Sequence, residues 1–168
     1  MARLKVFQVV ECGGPGGTGA QVAALCRSLN PDKFETTLVY NVRPGHFPAE
    51  YEALARPADC IRVRSMTREI HPGLDLAALR ELTQLFRARR PDVVHAHSSK
   101  AGVLARLAAK AARVPKVFYS PRGYGFLMED RSSTSRALYK WMERAASRIG
   151  VVAAVSGGEA ELARAEAW

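Results

Sequence analysis

The chain has 168 residues, 48% hydrophobic and 24% charged, with a formal net charge of +9. That is one domain's length with apolar content enough for a core, which excludes a disordered or low-complexity chain. The longest apolar run, residues 149–155, is far short of the ~20 residues that span a bilayer. Cys12, Cys26 and Cys60 lack CxxC spacing, which argues against a disulfide framework or a metal site and points to a reducing, cytoplasmic setting. Arg3 and Lys5 precede only VFQVV, too short for a signal-peptide core.

Taken in chain order, LKVFQVV (4–10) reads as a buried parallel strand. It runs into GGPGGTG (13–19). Behind that loop Val22, Leu25, Cys26 and Leu29 mark one helix face, and Asn30-Pro31-Asp32 stops the helix. FETTLVYN (34–41) is a second strand, and PAEYEALAR (48–56) a short helix with Pro48 in its first turn. DCIRVRS (59–65) reads as a third strand and 74–90 as a helix ending on Arg89-Arg90-Pro91. DVVHAH (92–97) is a fourth strand. Ser98 or Ser99 caps the next helix, with Val103, Leu104, Leu107 and Ala111 expected inward. KVFYS (116–120) is a fifth strand. A helix over 133–148, a sixth strand over 149–155 and a helix capped by Ser156 complete the pattern.

Strands alternating with helices across short links predict an α/β fold, a Rossmann-like doubly wound parallel sheet. Ligands in such sheets lie beyond the carboxyl ends of the strands. The loops to inspect are therefore 11–18, 41–47, 64–73, 97–100, 120–126 and 156–158.

The glycine loop contains G-x-G-x-x-G as Gly14, Gly16 and Gly19. Backbone N–H groups at a helix N-terminus approach a phosphate closely only where no Cβ intervenes. A ligand-free glycine turn is the plain alternative. Walker A is excluded, since neither frame is followed by Lys-Ser/Thr. A dinucleotide site wants an acid ending the second strand, and this one ends Tyr40-Asn41-Val42-Arg43. Arg43 leaves an NADP 2′-phosphate open.

In VVHAHSSKAG (93–102), His95 and His97 are read as pointing to opposite faces. His95 is then a satisfied core residue and His97 sits at the strand's carboxyl end, with Lys100 a cation beside the cleft or a solvated one. H-x-H without a third ligand is weak grounds for metal. SPRGYGF (120–126) presents Arg122 toward a phosphate or carboxylate. Ser156 and Glu159 have capping-box spacing. Arg136, Lys140, Arg144 and Arg148 form an i+4 basic stripe beside Tyr139 and Trp141. It is either a solvated face or a seat on an anionic membrane. The Arg bias, 19 of 25 basic residues, suits phosphate binding and equally suits a genome's coding composition.

The strand running into GGPGGTG, then PDVVHAHSSKAGVLARLAA, VPKVFYSPRGYGF and VVAAVSGGEAEL, together resemble the N-terminal domain of family 4 glycosyltransferases. These are retaining enzymes of the GT-B fold, two Rossmann-like halves around a cleft. The resemblance implies that this half binds the acceptor, a glycan or lipid-linked phosphate. A C-terminal half would bind most of the nucleotide-sugar donor. The donor-side E-x7-E signature has no match here, so residues 1–168 are expected to be an acceptor-side domain without its donor-binding partner. By the same resemblance Gly14, Gly16 and Gly17 abut donor diphosphate and acceptor, and His97, Ser98, Ser99 and Lys100 are acceptor-side contacts. Arg122, before Gly123, stands where the family usually has a histidine. The donor's own phosphate is thought to assist deprotonation, so no protein base, metal or other cofactor is implied. A peripheral contact with the inner face of an anionic membrane is compatible, and nucleic acid is not expected.

Three rivals remain. A GT-B-like sugar-nucleotide epimerase shares the fold. An NADP-dependent oxidoreductase predicts NADP binding by this chain alone. A non-catalytic module for anionic membrane or phosphate predicts binding that falls steeply with salt.

Overall fold

The computed structural model describes residues 2–127 and 132–166. Six strands alternate with six helices. They are β1 (Leu4–Gly13), α1 (Gly17–Ser28), β2 (Phe34–Val42), α2 (Pro48–Ala55), β3 (Asp59–Arg62), α3 (Pro72–Arg89), β4 (Val93–His97), α4 (Ser99–Ala112), β5 (Lys116–Ser120), α5 (Ser133–Ala146), β6 (Val151–Val152) and α6 (Gly157–Ala165). A short 3-10 turn, Gly125–Leu127, lies between β5 and α5.

The sheet is parallel throughout, in the order β3-β2-β1-β4-β5-β6. The chain works outward from β1 in one direction, then returns to its other side at β4. This leaves a crevice between the carboxyl ends of β1 and β4. Alternation along the strands divides the apolar side chains. Phe7, Val9, Val39, Val94 and Ala96 pack with Ala78, Leu82 and Phe86 of α3 and with Ala101, Leu104 and Ala108 of α4. Val10, Cys12, Leu38 and Tyr40 pack with α1 and α2.

Three expectations need correction. The sixth strand is only Val151–Val152, because Gly150 enters it at φ +85° and the chain leaves after Ala153 to cap α6. The third strand ends at Arg62, where the Asn41 side chain takes over, donating to the carbonyls of Arg64 at 3.1 Å and Met66 at 3.2 Å. In α4, Leu107 and Ala111 face outward. The inward stripe is Ala101, Leu104, Ala105 and Ala108, whose three alanines let the helix sit close to the sheet. A Cβ on Gly102 would lie 2.2 Å from the Tyr119 ring.

That close approach buries an unexpected charge. The Arg106 guanidinium lies 4.0 Å from the centre of the Tyr119 ring and 2.6 Å from the Glu143 carboxylate, with both charged side chains at most 2% exposed. Arg106 also donates to the carbonyls of Gly102 and Ala146, and Tyr119 donates to Glu143. Every strong polar atom of the cluster thus has a partner, the condition for tolerating buried charge. The cluster fastens α5 to α4 and β5. Glu143→Ala, which strands the arginine, is expected to cost about 3–5 kcal/mol in urea unfolding. The paired change Arg106→Met with Glu143→Leu is expected to recover part of that loss.

Candidate functional site

At the carboxyl edge, β1 ends in Gly13 and the chain turns through Gly14, Pro15 and Gly16 into α1. The glycines do different work. A Cβ on Gly13 would meet the Tyr51 ring at 2.5 Å, and one on Gly19 would meet the Gly14 backbone at 2.6 Å. These two let the loop close. A Cβ on Gly16 or Gly17 would meet nothing within 4 Å, and Gly17 sits at φ +55°. Gly14 lies beside the His46 ring. The backbone is therefore bare at the N-terminus of α1, where no side chain caps it, which is the arrangement an anion needs.

Across the crevice stand His97 and Arg122. His95 and His97 are two residues apart on one strand and so share a face, contrary to the sequence reading. Their rings lie 4.0 Å apart. His95 Nε2 is 2.9 Å from the Ser120 hydroxyl, which itself donates to the Ala153 carbonyl. His95 is thus the donor, a satisfied core residue. His97 is wholly buried. Its Nε2 lies 2.8 Å from Gln8 Oε1, and its Nδ1 accepts from Arg122 Nε at 3.1 Å. His97 therefore sits beneath Arg122 and holds it from below. Arg122 also donates to Gln21 on α1, so the guanidinium spans the gap between the glycine-loop helix and β4. Its backbone is left-handed, φ 53°, as is that of Gly123 at 93°.

Glu159 anchors the same loop. The Ser156 hydroxyl accepts from Glu159 N at 3.2 Å, as a helix cap should. The Glu159 carboxylate does not return to Ser156 N. It accepts from Val155 N at 3.0 Å and from Gly123 N at 2.7 Å, tying the Arg122 loop to α6.

The remaining predicted site residues face different ways. Ser98, at φ 71°, donates to Glu11. The Ser99 hydroxyl accepts from Gly125 N at 2.9 Å. Lys100 is turned inward, 2.6 Å from Asp75, with further bonds to Thr67 and the Glu69 carbonyl. It pins the segment after β3 to α4. Glu11, Arg43, Arg68, Ser98, Lys100 and Arg122 line one small cavity, with Gly123 and Gly125 on the same wall. Glu11 is its single carboxylate, 5% exposed, and burial raises its pKa above the ordinary carboxylate range. Sequence reading missed Glu11, although an acid closing a buried parallel strand is a detectable signal.

The basic stripe is partly neutralised. Lys140 and Arg144 both pair with Glu166, at 2.6 and 3.2 Å. Tyr139 is buried, while Leu138 and Trp141 are exposed, Trp141 by 66%. Arg148 lies beyond the end of α5 and is exposed. Among the described residues no helix is long and apolar enough to cross a membrane, and no group of three or more His, Cys, Asp or Glu is placed to hold a metal ion.

Residues 16–167 match the family model described as a glycosyl transferase 4-like domain. The chain belongs to this family. A stretch of 81 residues is 38% identical to the Escherichia coli UDP-Gal:alpha-D-GlcNAc-diphosphoundecaprenol alpha-1,3-galactosyltransferase, covering 48% of this chain and 21% of that protein. The fold is shared with a glycosyltransferase from Rickettsia africae (TM-score 0.64, 14% identity, 97% of this chain and 39% of that one). It is shared with Acinetobacter baumannii MurG (0.60, 13%, 93% and 42%). A UDP-N-acetylglucosamine 2-epimerase from Rickettsia bellii has it too (0.64, 16%, 99% and 42%). The matched stretch spans a fifth of the E. coli relative, and the chain covers less than half of each of these solved chains.

Both histidines are held neutral. Burial lowers His95 from 6.5 to about 4, and burial, then His95 and Arg122, put His97 well below 6.5. In the unfolded chain both regain the ordinary value, so between pH 6.5 and 4 the unfolded state binds more protons. Stability is expected to be full above pH 6.5 and to fall below it, by ~1.4 kcal/mol per pH unit for each histidine. Urea midpoints measured from pH 7.5 to 4.5 check this, and His95→Asn with His97→Gln should flatten the slope.

Proposed function

We propose that the glycosyl transferase 4-like domain is the acceptor-binding half of a retaining glycosyltransferase. The enzyme would move a sugar from a nucleotide-sugar donor to a glycan or lipid-linked acceptor in cell-envelope or polysaccharide synthesis. The observation that carries the reading is the bare backbone at Gly16 and Gly17 facing Arg122 across the crevice at the carboxyl edge. A developing diphosphate charge meets N–H groups on one side and a guanidinium on the other. Lipid-linked acceptors draw support from the E. coli relative's name.

On this reading, residues 1–168 hold acceptor and leaving group in register, and a second domain carries most of the donor. Catalysis rests on orientation and on stabilising the departing diphosphate. The domain by itself transfers nothing, and neither a metal nor another cofactor takes part. Arg122 is a poor proton acceptor. Its task is charge, and His97 keeps its fork aimed.

The test is transfer by the full-length protein from nucleotide sugars to acceptor. Gly16→Trp fills the bare space without touching the loop's own packing, and should cut kcat/KM at least 100-fold with the fold retained by circular dichroism. Normal turnover by that variant would refute the cleft assignment.

A peripheral position at the cytoplasmic face of the membrane is part of the same proposal, and α5 supports the membrane contact. Leu138 and Trp141 are exposed beside Arg144 and Arg148, the mixed face that settles into an anionic headgroup layer. In sedimentation with vesicles of 30% anionic lipid (roughly a bacterial inner-leaflet charge), the full-length protein should bind. Trp141→Glu and Arg148→Glu should each reduce the bound fraction several-fold, and equal binding by both would sink the idea.

A further inference from the structure

A second and larger cavity, about 630 Å³, opens beside the crevice between the ends of β1, β2 and β3. Glu11, Arg43, Arg62 and Arg68 line it. Its size suits a small polar molecule. None of these four residues lies in the motif-bearing stretches, and the transferase chemistry above does not use the cavity.

Arg43 and Arg62 are exposed at the cavity's rim, Arg68 is half-buried, and Glu69 lines the same space. Arg62 Nε donates to Asn41 Oδ1 at 3.2 Å. Asn41 is itself buried and fixed by its two bonds to the carbonyls of Arg64 and Met66. The two donated bonds fix the amide, and its oxygen orients one guanidinium. No described residue takes the terminal nitrogens of Arg62, and no described carboxylate lies within ion-pair distance of Arg43, Arg62 or Arg68. Arg43 and Arg68 also line the smaller cavity under Arg122, so the two spaces share a wall.

Glu11 lies on that shared wall, with Ser98 donating to its carboxylate. Three guanidinium forks select phosphate or carboxylate, which they can grip in pairs. The Glu11 carboxylate beside them repels a bare anion and, besides accepting from Ser98, has lone pairs to accept from a hydroxyl. An occupant with an acid group and, a few ångströms away, a hydroxyl meets both.

We propose that this cavity binds an anionic sugar, its phosphate or carboxylate on Arg43, Arg62 and Arg68 and a ring hydroxyl on Glu11. Resting on the transferase reading, that sugar is the acceptor, delivered with a hydroxyl at the wall facing Gly16 and Arg122. The acid group is either a phosphate ester or a uronate carboxylate.

Isothermal titration of the full-length protein tests the site, using glucose 1-phosphate, glucuronate, glucose and inorganic phosphate as probes. One of the two anionic sugars should bind at least 10-fold more tightly than glucose and than inorganic phosphate, and which one it is names the acid group. Arg62→Ala, and Arg43→Ala with Arg68→Ala, should each weaken that sugar at least 10-fold. Arg62→Lys, which keeps the charge and loses the fork, should fall between. Glu11→Gln should erase the advantage of the sugar over inorganic phosphate. Ser98→Ala, which frees the same carboxylate without removing it, should preserve that advantage. Equal binding of glucose, unchanged binding by the arginine variants, or tight NADP binding through the same arginines would overturn the proposal. Arginine-dependent binding in a protein that transfers no sugar would sustain the site while removing the transferase reading. Normal transfer by a protein combining Arg43→Ala, Arg62→Ala and Arg68→Ala, with no anionic-sugar binding, would do the reverse.

Discussion

Parallel pairing is the constraint from which the rest follows. Because every ladder in the sheet runs the same way, every strand delivers its carboxyl end to one edge. The N-termini of α1, α4 and α6 arrive there with them. Helix N-termini carry unsatisfied N–H groups and partial positive charge. Once β1 and β4 are neighbours, the edge has a gap that no crossover fills. Glycines in the first loop, Arg122 after β5 and Ser98 after β4 all meet there for a topological reason before any chemical one.

Within that edge the polar groups are stacked in depth. Arg122 faces the gap, His97 supports it, and Gln8 supports His97 from the neighbouring strand. Gln21 and Glu159 hold the arginine and its loop from two helices. Each supporting group is neutral or already paired, so the forward guanidinium keeps its charge for whatever enters. The same economy recurs at Arg62, aimed by Asn41. In both places a buried neutral side chain orients an arginine.

Element type and order were legible because they depend on local periodicity. Leu82 and Phe86, or Val9 and Val10, announce their faces within a few residues. The glycine loop was legible as a loop, but not the division of labour inside it, which depends on Tyr51 approaching from α2. Of the two readings of Lys100, a cation beside the cleft or a solvated one, the solvated one fails: the side chain is buried against Asp75, a partner 25 positions away on another helix. Arg106 was unreadable for the same reason. Its carboxylate lies 37 positions on, and no local pattern says that a long basic side chain will be covered. The two histidines share a face and not opposite ones, because a strand repeats every two residues, as their register with Gln8 and Val10 shows. Asn41 and Glu11 escaped notice because strand-end polar residues are common, and only the tertiary contacts distinguish these.

The glycine loop has a consequence for how descendants of this protein can diverge. Gly13 and Gly19 answer to the fold, since Tyr51 and the Gly14 backbone leave them no room. Gly16 answers to nothing inside the chain. A lineage that abandoned the ligand and kept the fold would be free to place a side chain at position 16 and would still retain glycine at 13 and 19. The occupant of that one position, compared among descendants, therefore separates inherited architecture from inherited use.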